Sequence, residues 1–240
     1  MLHKTKGIVL KTTPYAESSV VVQIFTEKFG IQSYLVNGVK KSKAKIRLNI
    51  LQPLHLLDLV VYQKNTGGLQ RISEARQVPA FQRIPYDIMK SSVVLFLNEV
   101  IYKCMKQQGA DNALFEFLFN AIHWLDTTDD TPVNFHLYFL LKLSKFLGFY
   151  PASKSAKQSY FDLKEGVFTQ YAPNHSLVLQ EPHTSQWASL LDSKLAELHF
   201  VKIPNADRRV LLQKIVDFYQ LHVDSMGEIK SREILEEVLS

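Results

Sequence analysis

Residues 18–36 read SSVVVQIFTEKFGIQSYLV, and this stretch decides the fold of the first third of the chain. β-branched residues dominate residues 18–26, which predicts a strand because such side chains fit a pleated sheet. Residues 27–30 predict a tight turn, in which Gly30 is available for a positive φ. Residues 31–36 predict the next strand, so the stretch as a whole predicts a β-hairpin.

Three further strand patterns flank this hairpin. Residues 7–12 (GIVLKT) precede it and are expected to end before Pro14, residues 54–62 (LHLLDLVVY) begin just after Pro53, and residues 69–75 (LQRISEA) follow. Residues 65–68 (NTGG) predict the hairpin turn between the last two strands. Five short strands separated by turns, all within residues 1–80, are typical of a small closed barrel.

The hydrophobic period changes after residue 80. Val93, Phe96 and Val100 recur at helical spacing, and similar stripes follow along much of the remaining chain. Residues 151–182 are irregular or only briefly extended. We therefore predict an α+β fold, with a five-stranded barrel domain over residues 1–80 and a mainly α-helical domain over residues 81–240. The helical domain carries a small irregular insertion at about residues 151–182.

Positive charge is concentrated in the predicted barrel. The chain has a net charge of +5, but residues 1–83 contain 13 lysines and arginines against 4 aspartates and glutamates. Residues 40–47 (KKSKAKIR) carry five of these cations and no acid. Such a loop needs either open solvent or a polyanion, and a nucleic-acid phosphate backbone is the partner that suits a basic loop on a small barrel.

These patterns select a set of candidate nucleic-acid-binding residues. The cationic candidates are Lys11, Lys40, Lys41, Lys43, Lys45, Arg47 and Arg71. Tyr15 is a candidate for stacking on unpaired bases. The alternatives are a solvated loop for the lysines and packing in the barrel core or at its rim for the tyrosine.

Several function classes lack their motifs. The sequence contains no GxxxxGK[ST], GxGxxG, HExxH or GxSxG pattern, which favours a binding protein over an enzyme. Cys104 is the single cysteine, so an intrachain disulfide and a multi-cysteine metal site are excluded, and we expect it to be a buried structural thiol. No apolar run has the length of a bilayer span, and no signal peptide precedes the first strand. We therefore expect a cytoplasmic protein without a membrane partner.

The opening of the chain resembles a known family. Residues 7–19 (GIVLKTTPYAESS) are similar to the first strand and turn of the bacterial recombination mediator RecO family. Residues 25–27 (FTE), 51–53 (LQP), 71–75 (RISEA) and 147–151 (LGFYP) continue the resemblance in the same order. Each match is short, but together they extend over nearly the whole chain.

The resemblance implies a fold and a function. Members have an N-terminal OB-fold, a helical domain and a zinc-ribbon-like insertion. They bind single- and double-stranded DNA, anneal complementary strands, and act with RecR (and RecF) to load RecA on DNA coated by single-strand-binding protein. The C-terminal tail of single-strand-binding protein occupies an apolar pocket edged by cations, for which the candidates here are Lys103, Lys106, Lys142 and Lys145. The expected location is the cytoplasm, in association with the nucleoid.

The insertion departs from the family pattern. Many members bind a structural zinc through four cysteines that follow the "G-x-x-P" stretch, whereas residues 152–179 here contain no cysteine. We therefore expect no metal and no cofactor. Two alternative functions stay open at this point: an OB-fold RNA-binding accessory factor, and a small-molecule enzyme with a pocket in the helical domain.

Overall fold

The computed structural model describes residues 1–63, 68–106, 108–129, 133–224 and 226–239. The chain divides into two compact units, Met1–Thr127 and Thr128–Ser240, which we call the N-terminal and C-terminal units. The barrel ends at Gln77, and the first two long helices belong to the N-terminal unit with it. A functional boundary near residue 80 stays a prediction.

The N-terminal unit contains a closed five-stranded barrel, as predicted. The strands follow the order β1-β2-β3-β5-β4 around the barrel. All neighbouring pairs are antiparallel except β3 and β5, which pair in parallel at Tyr34↔Gln70 and Leu35↔Arg71. The strands are β1 (Leu2–Ala16), β2 (Ser19–Thr26), β3 (Gly30–Val36), β4 (Leu56–Tyr62) and β5 (Gln70–Gln77). The barrel and the helices that follow confirm the predicted α+β class, with an OB-fold-like barrel at the N-terminus.

Strand β1 is much longer than its sequence pattern indicates. The expected end before Pro14 is wrong, because β1 continues to Ala16 with Pro14 opposite Val20. The register of β1 against β2 shifts between Val9 and Lys11 and again between Pro14 and Ala16. Such irregularities are where a sheet accommodates proline. The first shift also places Val9 in the barrel core while Lys11 faces outward.

The barrel interior is apolar. It is filled by fully buried aliphatic side chains such as Val22, Ile24 and Val61, together with Tyr34. The predicted role of Gly30 is confirmed: its φ is +66°, and a β-carbon there would collide with the carbonyl oxygen of Gln108. Of the turn predicted at residues 65–68, only Gly68 lies within the described residues.

Strand β4 begins two residues later than expected. Leu54 is fully buried and adopts a φ of +57°, a left-handed conformation that is rare for leucine. Its N–H donates to the carbonyl oxygen of Val9 at 2.8 Å, and the N–H of Val9 donates to that of His55 at 3.0 Å. The chain thus turns against β1 before it enters β4 at Leu56.

Two helices complete the N-terminal unit, α1 (Ile88–Cys104) and α2 (Asn112–Thr127). The Asp87 carboxylate caps α1 by accepting the N–H groups of Met89 and Lys90 at 2.9 and 3.0 Å. The rings of Phe115 on α2 and Phe25 on β2 lie 5.7 Å apart. Helix α2 therefore packs on the outside of the barrel.

A buried carboxylate holds the segment between barrel and helices. Asp126, 1% exposed near the end of α2, accepts backbone N–H groups from Gln82, Arg83 and Ile84 at 2.9–3.1 Å. These bonds satisfy the carboxylate in a place where an unpaired charge would be strongly destabilising. Residues 82–84 are thus attached to the N-terminal unit rather than forming a free linker.

The C-terminal unit is mainly helical, as predicted, with a small sheet inserted. Its helices are α3 (Phe135–Leu147), α4 (His183–Asp192), α5 (Asn205–His222) and α6 (Ser231–Val238). The predicted irregular insertion contains three short strands, β6 (Tyr160–Asp162), β7 (Val167–Thr169) and β8 (Val178–Gln180), in the order β7-β6-β8. Each helix in the described ranges is either too short or too polar to span a bilayer.

The small sheet is held to the helices by aromatic rings. Phe161 on β6 is fully buried, and its ring centre lies 4.8 Å from Phe168, 5.0 Å from Trp187 on α4 and 5.7 Å from Phe218 on α5. We call these four residues the aromatic cluster. Rings at these separations add edge and stacking contacts to the apolar area that they bury.

The donor set of the insertion does not suit a zinc ion. Its cysteines are missing, and the ring nitrogen Nε2 of His175 lies 3.2 Å from the Asp162 carboxylate. Among the described residues, no group of three or more histidine, cysteine, aspartate or glutamate side chains could hold a metal. A metal-free insertion stays a prediction.

His136, a 1% exposed residue of α3, should make the free energy of unfolding depend on pH. Burial, reinforced by the charge of Arg208, lowers its pKa to about 3. The pKa of a histidine in the unfolded chain is about 6.5. Between pH 3 and pH 6.5 the unfolded chain therefore binds more protons than the folded protein, so the folded state loses stability as the pH falls. From pH 7 to pH 5 we expect a loss of roughly 2 kcal/mol from this residue. Urea unfolding of wild type and His136→Gln at both pH values measures it, and equal pH dependence in the two proteins would contradict it.

Candidate nucleic-acid interface

The basic loop, defined here as residues 40–47, connects β3 to the 3-10 helix Leu48–Leu51. Val39 just before the loop and Ile46 within it are only 4% and 6% exposed and belong to the barrel core. The N–H of Val39 also donates to the carbonyl oxygen of Ser18 at 2.9 Å, next to the turn between β1 and β2. Two apolar anchors therefore hold the loop against the barrel.

The cations of the basic loop face solvent, as the sequence indicates. All five of its lysine and arginine side chains are exposed. Lys45 lies 3.8 Å from Glu74 on β5, but both side chains are more than half exposed, and such a surface pair contributes little. Within the part of the chain that the structure describes, the other four form no ion pair. They are Lys40, Lys41, Lys43 and Arg47.

The other predicted barrel residues share one surface, which we call the outer face. Strand pairing aligns Lys11, Gln23 and Ser33 in one row across β1, β2 and β3. The next row contains Thr13, Val21 and Leu35, and Leu35 pairs with Arg71 on β5. Both rows alternate with buried core residues. Lys11 and Arg71 are thus exposed on the same curved sheet.

Tyr15 lies further along β1, beside the second register shift, and is 62% exposed. It is available to a ligand and is not part of the barrel core. The sheet therefore presents an exposed ring, cationic side chains and a neighbouring basic loop, a combination suited to a single strand of nucleic acid.

Tyr102 also belongs to this surface, although the sequence does not predict it. Tyr102, in the last turn of α1, approaches Lys11 so that the ammonium donates to its hydroxyl at 3.2 Å and lies 4.7 Å from its ring centre. The local pattern carries no signal for this contact, because Lys11 and Tyr102 are 91 residues apart. A groove of 260 Å³ lies here, lined by Lys11, Thr13, Pro14, Tyr15, Val21, Gln23, Ser33 and Tyr102.

The four lysines proposed for partner binding divide between the units. Lys103 on α1 is paired with Glu99 at 3.1 Å, and Lys106 is exposed just after that helix. On α3, the Lys142 ammonium donates to the carbonyl oxygen of Leu191 at 2.6 Å, and burial lowers its pKa. Lys145 is exposed. Of the two lysines on α3, Lys145 is the one whose charge is open to a partner.

Comparison with known proteins agrees with this architecture. The family model described as "Recombination protein O N terminal" matches residues 1–81, and "Recombination protein O C terminal" matches residues 85–233. Full-length relatives named DNA repair protein RecO include those of Flavobacterium johnsoniae, 37% identical over 99% of each chain, and Flavobacterium psychrophilum, 35% identical over 99% of each chain. The protein of that name from Phocaeicola vulgatus is 32% identical over 100% of both chains. The chain therefore belongs to the recombination protein O family, a family of DNA repair proteins.

Proposed function

We propose that this protein is a DNA-binding recombination mediator that anneals complementary strands. The observation that supports this most directly is the basic loop, whose exposed cations are held on the barrel by Val39 and Ile46. A cationic loop fixed at its base can contact consecutive phosphates with less loss of conformational freedom than a free tail.

Charge provides the mechanism. Lysine and arginine side chains displace counterions from the phosphate backbone and bind it without regard to sequence. Two complementary strands that are both held on basic surfaces repel each other less and meet more often. Annealing then follows from base pairing, and the protein needs only to bind and release.

This mechanism requires no covalent chemistry from the protein. The sequence lacks a phosphate-binding P-loop, in keeping with a mediator that does not hydrolyse nucleotides. Burial raises the pKa of the Cys104 thiol to about 12, which keeps it protonated and unreactive at neutral pH. We therefore propose a binding protein rather than an enzyme, acting in the cytoplasm at the nucleoid.

The proposed protein partners are RecR and the C-terminal tail of single-strand-binding protein, through which RecA would be loaded. Family membership supports both, as it supports DNA over RNA as the nucleic acid. Of the two candidate lysines in the C-terminal unit, the exposed Lys145 is more accessible to an acidic tail than Lys142.

A strand-annealing assay tests the proposal. We expect the protein to accelerate annealing of complementary oligonucleotides, both free and coated with single-strand-binding protein. Coating with a tail-truncated single-strand-binding protein should abolish the acceleration on coated strands only. Absence of annealing on free strands, or tighter binding to RNA than to DNA of equal length and salt, would contradict the proposal.

A further inference from the structure

We propose that the groove beside Tyr102 binds a single unpaired nucleobase of the DNA strand, with Tyr102 as a specificity-determining residue for single-stranded over duplex DNA. This inference rests on the proposed function and adds to it a recognition site for the base. It also assigns a role in DNA binding to helix α1, which follows the barrel in the sequence.

The shape of the groove suits a base. Its volume is 260 Å³. Pockets for whole drug-sized ligands measure about 300–1,000 Å³, so the space fits one planar ring system with its surroundings. Tyr102 contributes a ring from α1, and Tyr15 contributes an exposed ring from β1. Aromatic rings of this kind bind the faces of unpaired bases of any sequence.

The polar groups of the groove suit the edge of a base. Gln23 and Ser33 are direct neighbours across β2 and β3, and both side chains are partly exposed. Neither side chain forms a hydrogen bond to another described residue. A glutamine amide and a serine hydroxyl each offer a donor and an acceptor, which match the donors and acceptors that an unpaired base presents.

Lys11 connects the base site to the backbone site. Its ammonium lies on Tyr102, 4.7 Å from the ring centre, while its side chain stays exposed. A base that stacks on Tyr102 takes the place of this ammonium on the ring, and the exposed Lys11 side chain can then reach the phosphate of the same nucleotide. In a duplex the bases are paired and stacked on one another, so they cannot enter the groove, and only the phosphate contacts remain.

The test compares Tyr102→Ala with wild type on single-stranded and duplex DNA of equal length. We expect single-strand affinity to fall by about 5- to 150-fold, because this is the range that loss of one base stack produces. Duplex affinity should stay within about twofold, and the salt dependence of single-strand binding should be unchanged, because phosphate contacts set that slope. Fluorescence anisotropy at several salt concentrations measures all three quantities.

Two control variants and an abasic strand keep the result interpretable. Tyr86→Ala removes a tyrosine that is 88% exposed but lies outside the groove, and should leave affinity unchanged. Tyr102→Phe keeps the ring and should bind single strands nearly as wild type does. The unchanged duplex affinity of Tyr102→Ala shows that this variant is folded. With a fully abasic oligonucleotide, wild type and Tyr102→Ala should bind equally.

Several outcomes overturn the inference. Equal losses on single-stranded and duplex DNA, an unchanged loss on the abasic strand, or wild-type affinity in Tyr102→Ala would each do so. If the last result occurs while wild type still anneals DNA, only the base site is wrong. If wild type binds no single-stranded DNA, the proposed function fails as well.

Discussion

Replacing Lys40, Lys41, Lys43 and Lys45 together with alanine is expected to weaken DNA binding on the order of 100-fold at moderate salt. Each lysine that contacts a phosphate adds about 0.7–0.9 to the slope of log affinity against log salt, so the slope should fall by about 3. The thermal stability should change little, because exposed loop charges contribute little to folding. Anisotropy titrations at four salt concentrations measure affinity and slope together.

A matched variant separates position from net charge. Replacing Lys157, Lys164, Lys194 and Lys202 with alanine removes the same charge from exposed lysines of the C-terminal unit. This control should keep the wild-type slope. If the two quadruple variants lose affinity equally, general charge rather than the basic loop governs binding, and the DNA site lies elsewhere.

Phe161→Ala is expected to have the largest effect on stability. Its ring is fully buried at the centre of the aromatic cluster, and removing a buried phenylalanine costs about 3–5 kcal/mol. The loss should be large because three other rings contact it, at centre distances of 4.8–5.7 Å, and cannot all collapse into the space. Urea unfolding of the purified protein measures the change.

An exposed residue of the same segment provides the control for Phe161→Ala. Tyr171→Ala, at a tyrosine that is 78% exposed in the same segment, should change stability by less than about 0.5 kcal/mol.

A chelator should leave the unfolding of wild type unchanged, and tag-free protein should contain no stoichiometric zinc. A chelator-sensitive transition would show that a metal stabilises the insertion after all.

Local patterns in the sequence were sufficient for the barrel and for the basic loop. The many β-branched residues in 18–26 predict a strand from local sequence alone, and five cations in residues 40–47 repel each other in any compact arrangement. The apolar stripe of α1 is equally local. These features depend on neighbours a few positions apart, so the chain order alone reveals them.

The tertiary structure decided the features that depend on distant residues. Pro14 stays within β1 because β2 pairs across a register shift, and Asp126 is buried because backbone groups more than 40 residues earlier bond to it. Tyr102 reaches the outer face only because α1 packs on the barrel, where Lys11 meets it. By itself the sequence therefore determined which segments form the barrel strands, though not all of their bounds, together with the helical stripes and where the charge lies. Which side chains form one groove was decided by long-range packing, since such contacts leave no periodic trace in the chain.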